Sequence, residues 1–132
     1  MITLDASCLI AHFERADPHH DQASAIMEIP ASGELQIHTI NSAEVLVGGV
    51  RGGRVNQMLA AIQKLGVVTV PPIDDEALRL AELRYSTGLK LPGCCALLAA
   101  MTNGQTLATF DQTLAEAGRH KGLQVLGHGQ PN

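Results

Sequence analysis

Apolar positions follow two spacings along the chain. Short leucine-rich or β-branched runs alternate with stretches in which apolar residues recur every three or four positions, the pattern of strands separated by helices. "MITLDASCLIAHF" opens with a strand ending near Leu4, after which Asp5 and Ser7 head a short helix. "ADPHHDQASAIMEI" predicts a second helix with Asp17 as N-cap and Pro18 at its first position. "ELQIHT", residues 34–39, reads as strand two. "NSAEVLVGGV" turns helical and is broken by the glycines of "GGVRGGR", and "VNQMLAAIQKL" carries a further helix to Gly66. "GVVTVPP" reads as a buried third strand. "DDEALRLAELRYSTG" is an amphipathic helix with acids in its first turn and Gly88 past its end. A buried helix with Pro92 in its first turn follows, then "QTLATF" as strand four, "DQTLAEAG" as a short helix and "LQVL" as a fifth strand.

Strands separated by helices throughout predict an α/β fold, a three-layer α/β/α sandwich around a central parallel sheet. The 132 residues, 45% of them hydrophobic, suit one domain spanning 1–132, and the Gly-rich "GHGQPN" end reads as loose. No apolar run is long enough to cross a bilayer, and "MITLDASCLIAHFERAD" lacks the basic region and cleavage site of a signal peptide, so a cytoplasmic protein is expected. Cys8, Cys94 and Cys95 have no metal-type spacing to a histidine and read as reduced core residues. A net charge of −4 speaks against coating nucleic acid by bulk attraction, and two Phe, one Tyr and no Trp leave little with which to stack unpaired bases. Contact with nucleic acid would have to be local, through phosphates or a metal.

In parallel sheets ligands bind beyond the carboxyl ends of the strands. Three carboxylates fall there: Asp5 after strand one, Glu44 in the helix after strand two, and Asp111 after strand four. Each also has a structural reading. Asp5 and Asp111 can cap the helices they precede, and Glu44, three residues after Asn41, can close a capping box. If the strands are neighbours, the three side chains share one crevice and repel unless a cation neutralises them. All-oxygen ligands suit Mg²⁺ or Mn²⁺ better than Zn²⁺, and such an ion supports phosphodiester hydrolysis by activating water. Ser7 and Thr109 stand close enough in sequence to orient ligands or water, or to serve as ordinary cap and turn hydroxyls.

On "LDASCLIAHF", "INSAEVLVG", "AELRYSTGLKLPGCCALLAA" and "TLATFDQTLAEAG", in that order and nearly end to end, the chain resembles the PIN domain, and within it the VapC-type toxin ribonucleases of bacterial toxin–antitoxin pairs. The resemblance implies a parallel sheet between helices, a Mg²⁺- or Mn²⁺-dependent endoribonuclease site with Asp5, Glu44 and Asp111 as ligands, an RNA substrate, homodimerisation and inhibition by a cognate antitoxin. It also exposes a departure. In that family an Asp normally follows "LKLP", as a further acid of the site, and this chain has Gly93. The uncapped start of this helix reads as a deleted ligand. Glycine costs a helix cap little, so metal affinity and nuclease activity are expected to suffer more than stability. A catalytically silent PIN-fold protein that binds an antitoxin, a partner subunit or RNA is the competing expectation.

The remaining candidates carry less. His19 and His20 beside Asp21 lack a third ligand at suitable spacing and read as a solvated helix face, and His12 and His38 read as structural histidines. Arg51 and Arg54 in "RGGR" suit an RNA phosphate or an acidic antitoxin segment as well as plain solvation. Arg79 and Arg84 read as surface charge, and "DDE" at 74–76 as complement to a helix N-terminus. No phosphate-binding glycine loop is present. An aspartyl-phosphate site is disfavoured because Ser7 stands where its second acid is needed. The apolar helix 55–65 offers more surface than one small core covers, which agrees with a dimer.

Overall fold

The computed structural model describes residues 1–29 and 34–129. Five parallel strands, β1 (Ile2–Leu4), β2 (Leu35–Ile37), β3 (Val67–Thr69), β4 (Thr106–Thr109) and β5 (Gln124–Gly127), form one sheet in the order β3-β2-β1-β4-β5. In register, Leu4 lies between Ile37 and Ala108. The chain winds outward from β1 through β2 to the β3 edge, then returns to β4 on the other side of β1 and continues to β5. Because a crossover between parallel strands is right-handed, this reversal places the earlier and later helices on opposite faces.

The side chains obey that division. Ile2, Leu4, Leu35, Ile37, Ala108 and Leu126 point to one face, packed with residues of α1 (Ala6–Phe13), α2 (His20–Glu28), α3 (Thr39–Arg51) and α4 (Val55–Lys64). Leu107 points to the other, among Leu83 of α5 (Glu76–Thr87), Leu97 and Leu98 of α6 (Leu91–Thr102) and Leu114 of α7 (Gln112–His120). The expected α/β/α sandwich with a central parallel sheet is therefore the observed one. Cys8, Cys94 and Cys95 are free and buried, as expected, and burial pushes Cys8 well up and Cys95 to about 11.

Four local expectations need correction. The "GVVTVPP" strand is not buried: β3 is an edge strand with Val68 45% exposed, and among the described residues no strand pairs on its outer side. The helix over Thr39–Arg51 runs straight through Gly48 and Gly49, ending only at Gly52. A Cβ on Gly49 would come within 3.1 Å of Met58 Sδ and 3.2 Å of Val55 Cα, so glycine there lets α4 pack closely against α3. Helix α2 starts at His20, without a side-chain cap. Asp17 instead accepts from His19 N at 2.8 Å in the turn before it. The start of the "GHGQPN" segment is tied down, since His128 N donates to Thr109 O at 2.8 Å and Gln22 Nε2 to Gly127 O at 3.0 Å; residues 130–132 lie outside the described residues.

Polar side chains also enter the sheet interior, among them Thr3, Gln36 and Thr109. Gln36, 1% exposed on β2, donates through Nε2 to Thr3 Oγ1 at 2.7 Å and to Asn103 O at 2.8 Å, and accepts from Asn103 Nδ2 at 3.0 Å. The amide thus clamps two neighbouring strands to the end of α6. Gln36→Leu keeps the volume but strands these partners, and is expected to lower unfolding free energy by about 2 kcal/mol in denaturant titration.

Candidate active site at the carboxyl end of the sheet

The reversal of winding lies between β1 and β4; Asp5 directly follows β1, and Asp111 follows β4 after Phe110. A crevice opens at such a point because the connecting helices depart to opposite faces. Here it is a cavity of about 530 Å³ whose lining includes Asp5, Ser7, Asn41, Glu44, Gly93 and Asp111. The three carboxylates and the glycine singled out from the sequence therefore border one space. Thr109 is fully buried beside Asp5.

Asp5 is the N-cap of α1, extended at φ −93 and ψ 178, and its Oδ1 accepts from Cys8 N at 3.2 Å. The same carboxylate accepts from Ser7 Oγ at 2.6 Å and, through Oδ2, from Thr109 Oγ at 2.5 Å. Each hydroxyl is in turn held by the β4–α7 connection: Phe110 N donates to Ser7 Oγ at 2.9 Å and Asp111 N to Thr109 Oγ at 3.0 Å. Ser7 and Thr109 thus bridge the first acid to the backbone of the last. Asp111 is the N-cap of α7, accepting from Leu114 N at 3.0 Å. The capping role and the position at the cavity belong to the same side chains, so the two readings of Asp5 and Asp111 do not compete.

Glu44 is not a capping-box member. Helix α3 begins at Thr39, capped by His38, whose Nδ1 accepts from Ile40 N at 3.0 Å. This shift puts Asn41 inside the first turn, 1% exposed, where its Nδ2 donates to Glu44 Oε1 at 3.2 Å and to Pro92 O at 2.9 Å. Gly93 is not at the cap of α6 either. Lys90 is the N-cap, without a side-chain bond, and Gly93 is the third helical residue. A Cβ there would meet Leu89 at 3.6 Å, an ordinary contact, so a side chain fits.

Burial raises the pKa of Asp5 above the usual carboxylate range; its three hydrogen bonds oppose the shift and the charge of Asp111 reinforces it. The lining offers oxygen donors, with neither imidazole nor thiol among them, which suits a hard cation such as Mg²⁺ or Mn²⁺. A desolvated carboxylate beside a second acid, and a buried Asn41 Oδ1 with no hydrogen-bond partner, also fit a positive ion. Among the described residues no three His, Cys, Asp or Glu side chains gather closely enough to hold an ion by themselves. The donor set fits an ion that keeps part of its water shell.

The other candidates lie elsewhere. His12 Nδ1 pairs with Ser24 Oγ at 2.9 Å, a structural role as expected. His19 and Asp21 are exposed, as expected, with the His19 ring flat on Phe110 at a centroid distance of 4.5 Å, whereas His20 is half-buried with its Nδ1 2.9 Å from Ala11 O. Arg84 is exposed, as expected, and also donates to Gly88 O at 3.1 Å and to Leu89 O at 2.8 Å, fixing the turn into α6. Arg51 and Arg54 are exposed at the α3–α4 connection. A second cavity of about 540 Å³, bordered by Arg79, Tyr85 and Lys121, has none of the strand-end acids. Sequence reasoning missed Lys90, which borders the site, and the burial of Asn41. The capping-box spacing that offered an explanation for Asn41 hid it.

A family model described as "PIN domain" matches residues 2–120. The chain belongs to the PIN domain family. Solved PIN-fold neighbours share its architecture at low identity. A toxin–antitoxin complex from Klebsiella pneumoniae is 23% identical, covering 84% of this chain and 87% of its own, with a TM-score of 0.71. VapC20 of Mycobacterium tuberculosis, described as a sarcin-ricin loop cleaving toxin, is 15% identical over 89% of this chain and 95% of its own, with a TM-score of 0.75. The FitAB complex bound to an IR36 DNA fragment is 15% identical over 100% of this chain and 98% of the other, with a TM-score of 0.74. No curated protein matches the sequence. Within the PIN frame, Asp5, Glu44, Asp111 and the glycine at 93 border the same cavity.

The raised Asp5 pKa sets the sign of its effect on stability. The native state holds the Asp5 proton more tightly than the unfolded chain, so its contribution is full below the ordinary carboxylate value and is lost as pH rises through the native value. At pH 7.5 without metal, Asp5→Asn is expected to melt no lower than the parent, whereas at pH 4 the parent regains ground. Differential scanning calorimetry of both proteins across that range checks this, and a variant that melts several degrees lower at pH 7.5 contradicts it.

Proposed function

We propose that the protein is a metal-dependent endoribonuclease toxin of a type II toxin–antitoxin pair, attenuated because Gly93 stands where a further acid is expected. The carrying observation is that Asp5, Glu44, Asp111 and Gly93, far apart in the chain, border one cavity at the reversal of the sheet. The PIN domain match and the toxin neighbours support the same reading.

Asp5, Glu44 and Asp111 are the proposed ligands of Mg²⁺ or Mn²⁺, which when bound lowers the pKa of a water and offsets charge at the scissile phosphate. Ser7 and Thr109 fix the Asp5 carboxylate by donating to both of its oxygens, so it meets a cation without rotating. Asn41 directs Glu44 through Nδ2. Lys90, at the cavity rim, offers an ammonium to an RNA phosphate where the acids alone would repel it. Gly93 removes one oxygen and one negative charge from the third position of α6, where the helix N-terminus would have favoured an anion.

The proposed partners are RNA, a small cognate antitoxin and a second copy of this chain, in the cytoplasm. Among the described residues no helix is long and apolar enough to cross a membrane. Exposed Val47 and Val50 on α3 and Leu59 on α4 give a homodimer apolar surface to cover. Light scattering at micromolar concentration is expected to give twice the monomer mass, and a monomer mass removes the dimer from this reading.

Asp5→Asn should abolish Mn²⁺-dependent cleavage of RNA, a chelator should do the same to the parent, and Gly93→Asp should raise the rate by about tenfold or more. Absence of metal-dependent cleavage in both the parent and Gly93→Asp replaces the enzyme with a silent binding protein. The short supply of close ligands already favours that second reading.

A further inference from the structure

Asn41 carries an unexplained atom. Its side chain lies in the first turn of α3 with the residue 1% exposed, and Oδ1 is buried without a hydrogen-bond partner. The orientation of the amide is fixed by its other end. Nδ2 donates to Glu44 Oε1 at 3.2 Å and to Pro92 O at 2.9 Å, and exchanging the two atoms would set an oxygen against a carboxylate and a carbonyl while losing both bonds. Oδ1 is therefore the atom of the amide left without a partner. Buried acceptors are almost always satisfied, and an orphan calls for an ion, a water or a functional reason.

Two observations connect this oxygen to the gap at Gly93. Asn41 borders the same cavity as Asp5, Glu44 and Asp111. It is also bound to the carbonyl of Pro92, the residue directly before the glycine, so the amide sits at the end of α6 from which an acidic side chain is missing. Around a Cβ at Gly93 the nearest atoms are those of Leu89, at 3.6–3.9 Å. A neutral amide oxygen is a good ligand for hard cations, weaker than a carboxylate because it brings a dipole without a full charge.

We propose that Asn41 Oδ1 is a ligand of the divalent cation at this site and takes the part of the carboxylate that Gly93 lacks. The inference rests on the cation site of the proposed nuclease and adds to it a donor outside the acidic set. It gives Asn41 two tasks at once: Nδ2 orients Glu44 and anchors the start of α6, and Oδ1 faces the ion. A residue that only anchors would act on metal binding to the same degree whatever stands at position 93. A residue that stands in for a missing ligand would matter less once that ligand is restored.

The test is a double-mutant cycle read by Mn²⁺ affinity, using calorimetry on the parent, Asn41→Ala, Gly93→Asp and the combined variant, with Asp5→Asn as control. Asn41→Ala is expected to weaken Mn²⁺ binding by about tenfold in the parent and by less than about threefold in the Gly93→Asp background. Equal losses in both backgrounds, or no loss in the parent, overturn the inference while leaving the nuclease reading intact. A parent that shows no saturable, Asp5-dependent Mn²⁺ binding overturns the cation site itself. Should Asn41→Ala fail to fold, the parent decides alone: the Asn41 side-chain amide signals in a nitrogen-15 spectrum are expected to move saturably with Mg²⁺ in the parent and not in Asp5→Asn, and amide signals that stay fixed at saturating Mg²⁺ overturn the assignment.

Discussion

The carboxylate of Asp5 is the point on which this site depends. It sits where β1 ends, 6% exposed, and accepts hydrogen bonds from the backbone of α1, from Ser7 and from Thr109 of β4. Those bonds close the seam between the two strands at which the winding of the sheet reverses. They also hold a charge where water is scarce, and they only partly offset the burial that raises its pKa. Such a carboxylate fits the cation proposed for this site. The cap of α1, a side-chain bridge from the end of β1 to β4 and the field in the cavity thus meet at one side chain.

The topology was legible because it follows from element order alone. Once strands alternate with helices, a parallel sheet and a crevice at its carboxyl end follow, and Asp5, Glu44 and Asp111 fall beside it. The departure at Gly93 was legible only through the resemblance, which implies an Asp after "LKLP". The exact helix starts were not legible. Predicted at Asp17–Pro18 and around Asn41, they lie at His20 and Thr39. In both places the cap residue expected from propensity lost to tertiary contacts: His20 bonds to Ala11 O, and the buried amide of Asn41 reaches across to Pro92 O.

The same cause explains the errors at glycine and at the sheet edge. Gly48 and Gly49 weaken a helix in isolation, but α3 continues through them because α4 packs tightly at Gly49, an interaction between segments that no local rule sees. The β-branched "VVT" of β3 looks like a buried strand by composition, yet strand order alone makes it an edge. Order in a sheet is set by which crossovers the helices permit, and a run of valines carries no record of it.

Position 93 then decides the charge state of the cavity. As the third residue of α6 it lies where the helix N-terminus stabilises an anion, so an Asp there would sit comfortably without metal and add to the negative field of Asp5, Glu44 and Asp111. With Gly93 the lining holds three carboxylates and the ammonium of Lys90. One divalent cation nearly neutralises that set, and the local field that would draw in a second is lost. An ion held by Asp5, Glu44 and Asp111 would supply a polarised water, and Lys90 at the cavity rim would add a second positive charge for a phosphate. On the proposed reading the change at 93 bears on activity and not on the fold, since neither the sheet, the Asp5 hub nor the start of α6 depends on a side chain there.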